Sequence, residues 1–395
     1  MCACITNRPI SLHLPDAYSP QPHADVRVRH PSLTLLRKFI PRKLRAIAKR
    51  FAVRFSRHGA RWFSWNSFLA SLYYLVVNRS FCREQRAVLA GRADYWRSET
   101  GTYRETSVQL RRNIHRIEKG LIMKPRRAIF ALRYIAETID AFEAAMASPL
   151  EEPDEIRWAT DVLDRYFESV EPFPEASEQR QRFDRIRLSD GSRDGQAVAP
   201  FPYADIVPHG IGHEQLLALF RHRKSVRWFE RRPVPFEDIK KAVDGARLAP
   251  SSCNRQPYWF YITTDPSTAQ KLASCAMGTA GYVHNIQSLI VLVGDLSSFF
   301  SERDRHLIYI DGALAAMQLM LALDTLGIST CNINWPDIGE RERRLSGLLG
   351  LSPYLRPIML IAAGYADHTG GVPFSQKKSS DLLIRRVVLP ARPDA

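Results

Sequence analysis

No Gly-x-Gly-x-x-Gly loop occurs anywhere in the 395 residues, so the chain lacks the turn that cradles a dinucleotide pyrophosphate at a helix N-terminus. No Gly-x-Ser-x-Gly elbow occurs either, and Ser251 and Ser252 without one do not make a hydrolase nucleophile. Cysteine is sparse. The six residues (Cys2, Cys4, Cys82, Cys253, Cys275 and Cys331) include no pair at zinc-knuckle spacing, and read as reduced thiols of a cytoplasmic protein. The first residues have no apolar run of the kind that marks a signal peptide. Residues 62–77 (WFSWNSFLASLYYLVV) are broken by Ser64, Asn66, Ser67 and Ser71 and fall short of the roughly 20 residues that span a bilayer. Length and polar interruptions favour a buried helix there; the alternative is a marginal anchor on the cytoplasmic side. Acids are nearly missing from residues 8–61, where Asp16 and Asp25 stand alone. The net charge of +15 therefore belongs mainly to the N-terminus.

With 45% hydrophobic residues the chain is globular in composition and long enough for two or three domains. Residues 1–33, rich in Pro and His, read as a flexible leader. Residues 35–57 interleave Leu36, Phe39, Ile40, Leu44, Ile47 and Phe51 with Arg and Lys. Such a helix lies on anionic lipid, or is a solvated basic face over a packed stripe. Nucleic acid ranks behind both, because no recognised module surrounds the patch. Residues 34–147 read as a basic helical region, with apolar residues three and four apart over 85–89, 108–122 and 128–146. His115 and Glu118, three apart on one helix face, form a structural pair. Residues 148–213, rich in Pro and acids, read as a linker with one helix near 156–167.

Residues 214–395 carry the chemistry. Two polar clusters flank a helix at 235–248, in which Phe236, Ile239, Ala242, Val243 and Ala246 keep helical spacing and Glu237 and Asp238 occupy the first turn. The first cluster is Arg223, Lys224, Ser225, Val226 and Arg227, whose cations suit a phosphate and an electron-rich ring edge. The second, Pro250-Ser251-Ser252-Cys253-Asn254-Arg255-Gln256-Pro257, offers amides and hydroxyls that read a polar heterocycle. Beyond it, strands are predicted at 259–263, 288–294, 328–333 and 356–365. The long core helix is expected at 305–326, where small Gly312, Ala313, Ala315 and Ala316 permit close approach.

The string RKSVRWFERRPVPFEDIKKAVDGARLAPSSCNRQPYWFYI resembles the opening of the nitroreductase family, whose pattern is Arg-x-Ser-x-Arg/Lys, a helix, then Pro-Ser-Ser-x-Asn-x-Gln-Pro. The likeness spans residues 217–387. It implies an α+β domain, a mixed sheet flanked by helices, that binds FMN and assembles as a homodimer with each site built across the interface. It also implies ping-pong hydride transfer from NADH or NADPH through flavin N5 to an electron-poor small molecule, with no side-chain nucleophile. By the same resemblance Arg223 and Ser225 hold the phosphate with Lys224 nearby, and Arg227 faces the N1/O2 edge, where a fixed cation stabilises the charge of reduction. Ser252, Asn254 and Gln256 hydrogen-bond the pyrimidine and ribityl side. Asn332, Ile333 and Asn334 present backbone amides to N5, and Lys377, with Lys378, supplies a C-terminal phosphate cation.

Trp335 stands where many members have Gly, and Lys377-Lys378-Ser379-Ser380 replaces the usual Arg-Lys-Pro. The segment between Gly294 and Arg305 is short where members with broad activity insert helices, so the substrate space is open or is covered by the N-terminal helices. Residues 110–124 (LRRNIHRIEKGLIMK) are similar to the N-terminal extension of nitroreductase-like proteins from polysaccharide gene clusters. The alternative function is therefore an FMN-dependent redox enzyme, or an accessory protein without turnover, of polysaccharide biosynthesis. Either protein is cytoplasmic, or peripheral at the inner membrane face through residues 35–57.

Overall fold

The computed structural model describes residues 62–98, 107–148, 152–171, 173–187 and 197–387. The leader and the basic stretch 35–57 lie outside these residues. Among these described residues, those up to Arg79 belong to one compact unit and those from Ser80 onward to another. In the first, helix α1 (Ser67–Leu72) is capped by the Asn66 side chain, which accepts from the Leu69 amide at 2.9 Å, and runs on as a π-helical turn over Tyr73–Val77. Of residues 62–77, Tyr73 alone is buried, while Trp62, Trp65, Phe68 and Leu75 are more than two-thirds exposed. The expected buried helix is thus an exposed aromatic one: its apolar residues are too close together for a single stripe to cover them.

The second unit opens with helices α2 (Cys82–Ser98), α3 (Val108–Leu121), α4 (Ile135–Met146), α5 (Pro153–Ser169) and α6 (Pro174–Ile186). Leu110, Ile114 and Ile117 of α3 meet Ile135, Ile139 and Phe142 of α4, Ile156, Val162, Leu163 and Tyr166 of α5, and Phe183 of α6 in one core. The segment expected as a linker at 148–213 therefore differs from that reading. Pro153 and Pro174 each open a helix, with Asp154, Glu155 and Glu175 in the first turns, and both helices, the one expected near 156–167 and a second, join the core. A fully buried Leu, Ile or Phe contributes about 1.5–3 kcal/mol, so this core is enough to hold the helices together.

Then follow α7 (His213–His222), α8 (Phe236–Ala246), β1 (Tyr258–Thr263), α9 (Pro266–Ala273), β2 (Ser288–Asp295), α10 (Leu307–Thr325), β3 (Ser329–Asn334), α11 (Gly339–Leu349), β4 (Leu355–Gly364) and α12 (Ser380–Leu383). The strands lie in the order β1-β2-β4-β3, each neighbouring pair antiparallel. The class is α+β with helices on both faces, as expected. The expected mixed character reduces, among the described residues, to one parallel bridge, Ser225–Thr330. Strand β2 is buried along its whole length. Its alternate residues feed two cores: Leu289, Val291 and Val293 pack with α9 and α11, and Ile290 and Leu292 pack with α8 and α10. Gly312 lets α10 sit close to the sheet, since a Cβ there would lie 2.9 Å from Ile358 Cδ1. α10 is long and apolar enough to cross a membrane by composition, but much of it is buried as the core helix.

The helical region also packs on this sandwich. Gly91 of α2 lies against the Leu296 backbone, Ala87 and Val88 join Leu296, Phe299 and Ile308, Arg92 Nε donates to the Phe300 carbonyl at 3.1 Å, and Arg83 pairs with Asp337. Phe142→Ala should lower stability by about 3–5 kcal/mol, the range for deleting a fully buried Phe. Urea denaturation measures it, and a loss under about 1 kcal/mol would show that the helical core is not packed as described.

Candidate cofactor site

Ser225 sits in an extended segment that leaves α7 and bridges to Thr330 of β3, with the Val226 amide donating to the Thr330 carbonyl at 3.0 Å. This pairing lays the first cluster along the outer edge of β3. Backbone groups of a strand alternate sides, so if Thr330 faces outward, Asn332 and Asn334 do as well, while Cys331 and Ile333 face β4. Both asparagines are exposed and Ile333 is buried in the core. Of the three residues expected to offer amides, two therefore have them on the open edge. Trp335 turns its ring into the core beside Leu345, so it does not occupy that edge. Asp337 next in the loop takes Arg83 of α2 and Arg356 of β4, the latter at 3.3 Å.

Arg223 closes α7, its amide donating to Leu219 O at 3.1 Å, and Lys224 is exposed. Arg227 Nη1 reaches the Ser225 carbonyl at 3.4 Å, and the guanidinium lies 5.8 Å from the Tyr282 ring centroid. The Tyr282 hydroxyl is 3.9 Å from Cys331 Sγ. Burial, and then the neighbouring thiol, push the Tyr282 phenol up to about 12, and Arg227 opposes the rise. Burial likewise raises the Cys331 thiol, against the pull of Arg227 and Arg223. Both groups are therefore neutral at physiological pH and add no negative charge beside the two arginines.

The second cluster is a compact turn between α8 and β1. Cys253, Asn254 and Gln256 all take left-handed backbone, with φ of 52°, 52° and 50°. Outside glycine each such residue costs about 1–2 kcal/mol, least for Asn. A hydrogen-bond net compensates. One oxygen of Asp311, on α10, accepts from Ser251 Oγ and from the Ser252 amide, both at 2.8 Å. Ser251 Oγ accepts from the Gln256 amide at 2.8 Å, and Gln256 Nε2 donates to Asn254 Oδ1 at 3.0 Å. Arg111 Nε, from α3, donates to the Asn254 carbonyl at 2.9 Å. Arg255 tucks its guanidinium 5.0 Å from the Phe299 ring centroid with Asp304 at 3.9 Å, and burial lowers its pKa.

Lys377 is not brought to either cluster. It lies on an arm, residues 371–387, that is exposed throughout, where the Lys377 carbonyl accepts from Gln376 Nε2 at 2.9 Å. His115 and Glu118 do pair, at 3.1 Å, and Trp158 Nε1 adds a bond to Glu118 at 2.9 Å. The reading of residues 223–257 missed Asp311 and Arg111. Asp311 carried a signal, as an acid set among the apolar residues of the first half of its helix, since a buried carboxylate must find donors. Arg111 carried none, because its partner is 143 positions away. The donor set fits a flavin mononucleotide: cations for one phosphate, a fixed guanidinium, side-chain amides, and outward backbone donors on a strand edge.

Residues 220–281 and 276–365 match the sequence profile of the nitroreductase family. An NADH dehydrogenase of Thermus thermophilus is 26% identical over 198 residues, covering 42% of this chain and 91% of that protein. Human iodotyrosine deiodinase 1 is 23% identical over 199 residues, covering 43% of this chain and 68% of that protein. Among solved structures, the FMN-dependent nitroreductase of Clostridium difficile R20291 is 21% identical with a TM-score of 0.36, covering 44% of this chain and 98% of that one. The similarity lies in the C-terminal half.

Asp311→Ala removes the acceptor shared by Ser251 and Ser252 and should cost about 1–3 kcal/mol, because two partly buried donors lose their partner. Chemical denaturation measures the loss. An unchanged midpoint at unchanged slope would show that the carboxylate does not hold the turn.

Proposed function

We propose that this protein is an FMN-dependent oxidoreductase of nitroreductase type, which passes reducing equivalents from NADH or NADPH to an electron-poor small molecule in a ping-pong cycle. The observation that carries the reading is the Ser225–Thr330 bridge, which lays the Arg223–Arg227 segment against the outer edge of β3, the strand that carries Asn332 and Asn334. The family match over residues 220–365 supports it. FMN, when bound, would supply the two-electron hydride chemistry.

The chain's own residues then bind and orient. Arg223 and Lys224, with the Ser225 hydroxyl, would hold the phosphate. Arg227 would place a fixed cation against the electron-rich edge of the ring, at no cost in reorganisation because its position is already set by Ser225 O and the Tyr282 ring. Asn254 and Gln256 would read the heterocycle from the opposite turn, and the Asn332 and Asn334 amides would donate from β3. No described side chain has to act as a nucleophile.

A second copy of the chain completes this arrangement. Lys377 rides an exposed arm that also carries Phe374, Leu382, Leu383 and Ile384, and α10 shows Ile310, Leu314 and Met317 on its outer face. Apolar surfaces of this extent are those that dimers cover. The homodimer would bring each arm, with Lys377, to the other copy's site. The relatives named above include a dehydrogenase and a deiodinase, so the fold leaves the substrate to the walls around the ring.

The purified protein should take up one FMN per chain with a visible absorption band that NADH or NADPH bleaches, and acid should release FMN. Recovery of FAD alone, or no flavin uptake, would overturn the reading. Arg227→Ala should keep the flavin and slow its reduction in stopped flow by about 2–4 kcal/mol, roughly 30- to 1000-fold. An unchanged rate with flavin bound would remove Arg227 from the ring edge.

A further inference from the structure

We propose that Arg111 is a positioning residue for the Asn254 turn, through which the N-terminal helical bundle becomes part of the cofactor site; the inference rests on the FMN reading above. Asn254 has three groups already engaged. Its amide donates to Ser251 O at 3.0 Å, its Oδ1 accepts from Gln256 Nε2 at 3.0 Å, and its carbonyl accepts from Arg111 Nε at 2.9 Å. The first two bonds lie within the turn. The third comes from another part of the chain, and it helps hold the peptide plane of a residue kept in left-handed backbone, φ 52°, a conformation that persists where its surroundings fix it. With carbonyl and Oδ1 spent, the Nδ2 hydrogens are the donors Asn254 has left for a ligand.

Arg111 is itself held from behind. Its Nη1 donates to Glu155 Oε2 at 2.8 Å, the side chain of Glu155 is 1% exposed, and the other oxygen of Glu155 accepts from the Ser107 amide at 3.1 Å. The Trp158 ring centroid lies 5.5 Å from the guanidinium carbon. A buried carboxylate on α5 thus aims a fork whose second prong reaches the turn, and both helices are fixed by the core they share. Lysine at 111 keeps a charge for Glu155 but has one nitrogen and no rigid fork, so it cannot serve Glu155 and Asn254 O together.

The test uses the full chain with three substitutions, Arg111→Lys, Arg111→Ala and, as a control on the same helix, Arg116→Ala. Arg116 stacks on Tyr134 and bonds Asn113, away from the turn. FMN affinity is read by quenching of flavin fluorescence, the site by the fine structure of the bound-flavin absorption band, and stability by thermal unfolding without FMN. Arg111→Lys should unfold close to wild type, bind FMN roughly tenfold more weakly, the scale of one lost hydrogen bond, and show a blurred band. Arg111→Ala should weaken binding at least as much. Arg116→Ala should unfold earlier and bind FMN as wild type does. Wild-type affinity and spectrum in both Arg111 variants would overturn the proposal, as would equal weakening by Arg116→Ala, which would mark a general loss of stability. A wild-type chain that takes up no FMN overturns the underlying reading together with this one, and is told apart because the variants then have nothing to lose.

Discussion

One oxygen of Asp311, fixed on the core helix that spans the sheet, accepts two hydrogen bonds from Ser251 and Ser252, and the rest of the candidate site follows from that anchor. The turn it holds contains three non-glycine residues in left-handed backbone, a conformation that would relax if left to itself. Ser251 passes the constraint on, because the hydroxyl that donates to Asp311 also accepts from Gln256. Strain at a ligand-facing turn persists only where its surroundings over-determine it. Here those surroundings are α10 on one side and Arg111 of α3 on the other.

The helical region is therefore continuous with the α+β sandwich. Its own core, built from Ile114, Ile139, Phe142, Leu163 and Tyr166, is large enough to be rigid. It meets the sandwich at the Asn254 turn, along 296–302, and at Asp337 beyond the open edge of β3. The helical bundle touches the candidate site through the Arg111–Asn254 bond.

Much of the sandwich was legible because its elements obey simple periods. The run at 288–294 is apolar without a break and sits on β2, buried on both faces. The helix expected at 235–248 and the one at 305–326 are found within two residues of those bounds, as Phe236–Ala246 and Leu307–Thr325. α6, α9 and α11 were not anticipated. α6 and α11 are strongly charged, and α9 is short and starts on an Asp265 cap, so their apolar spacing is thin. In the stretch 148–213, read as a linker with one helix near 156–167, that helix is found as Pro153–Ser169 and a second follows at Pro174–Ile186, since Pro marks a helix start as readily as a loop. In the site, the clusters at 223–227 and 251–257 were visible as motifs. Their anchors were not, because Arg111 reaches Asn254 and Arg83 reaches Asp337 across long stretches of sequence, and no local pattern encodes such a pairing.

The central claim is that the strained 252–256 turn and the outward edge of β3 are two walls of one flavin site. Amide hydrogen exchange on the full chain, read by mass spectrometry with and without saturating FMN, tests it most directly. Peptides covering residues 249–258 and 329–336 should both gain protection on FMN addition, together with the start of α3 through the Arg111 contact. Protection confined to one of the two walls, or to neither while FMN is demonstrably bound, would contradict the account.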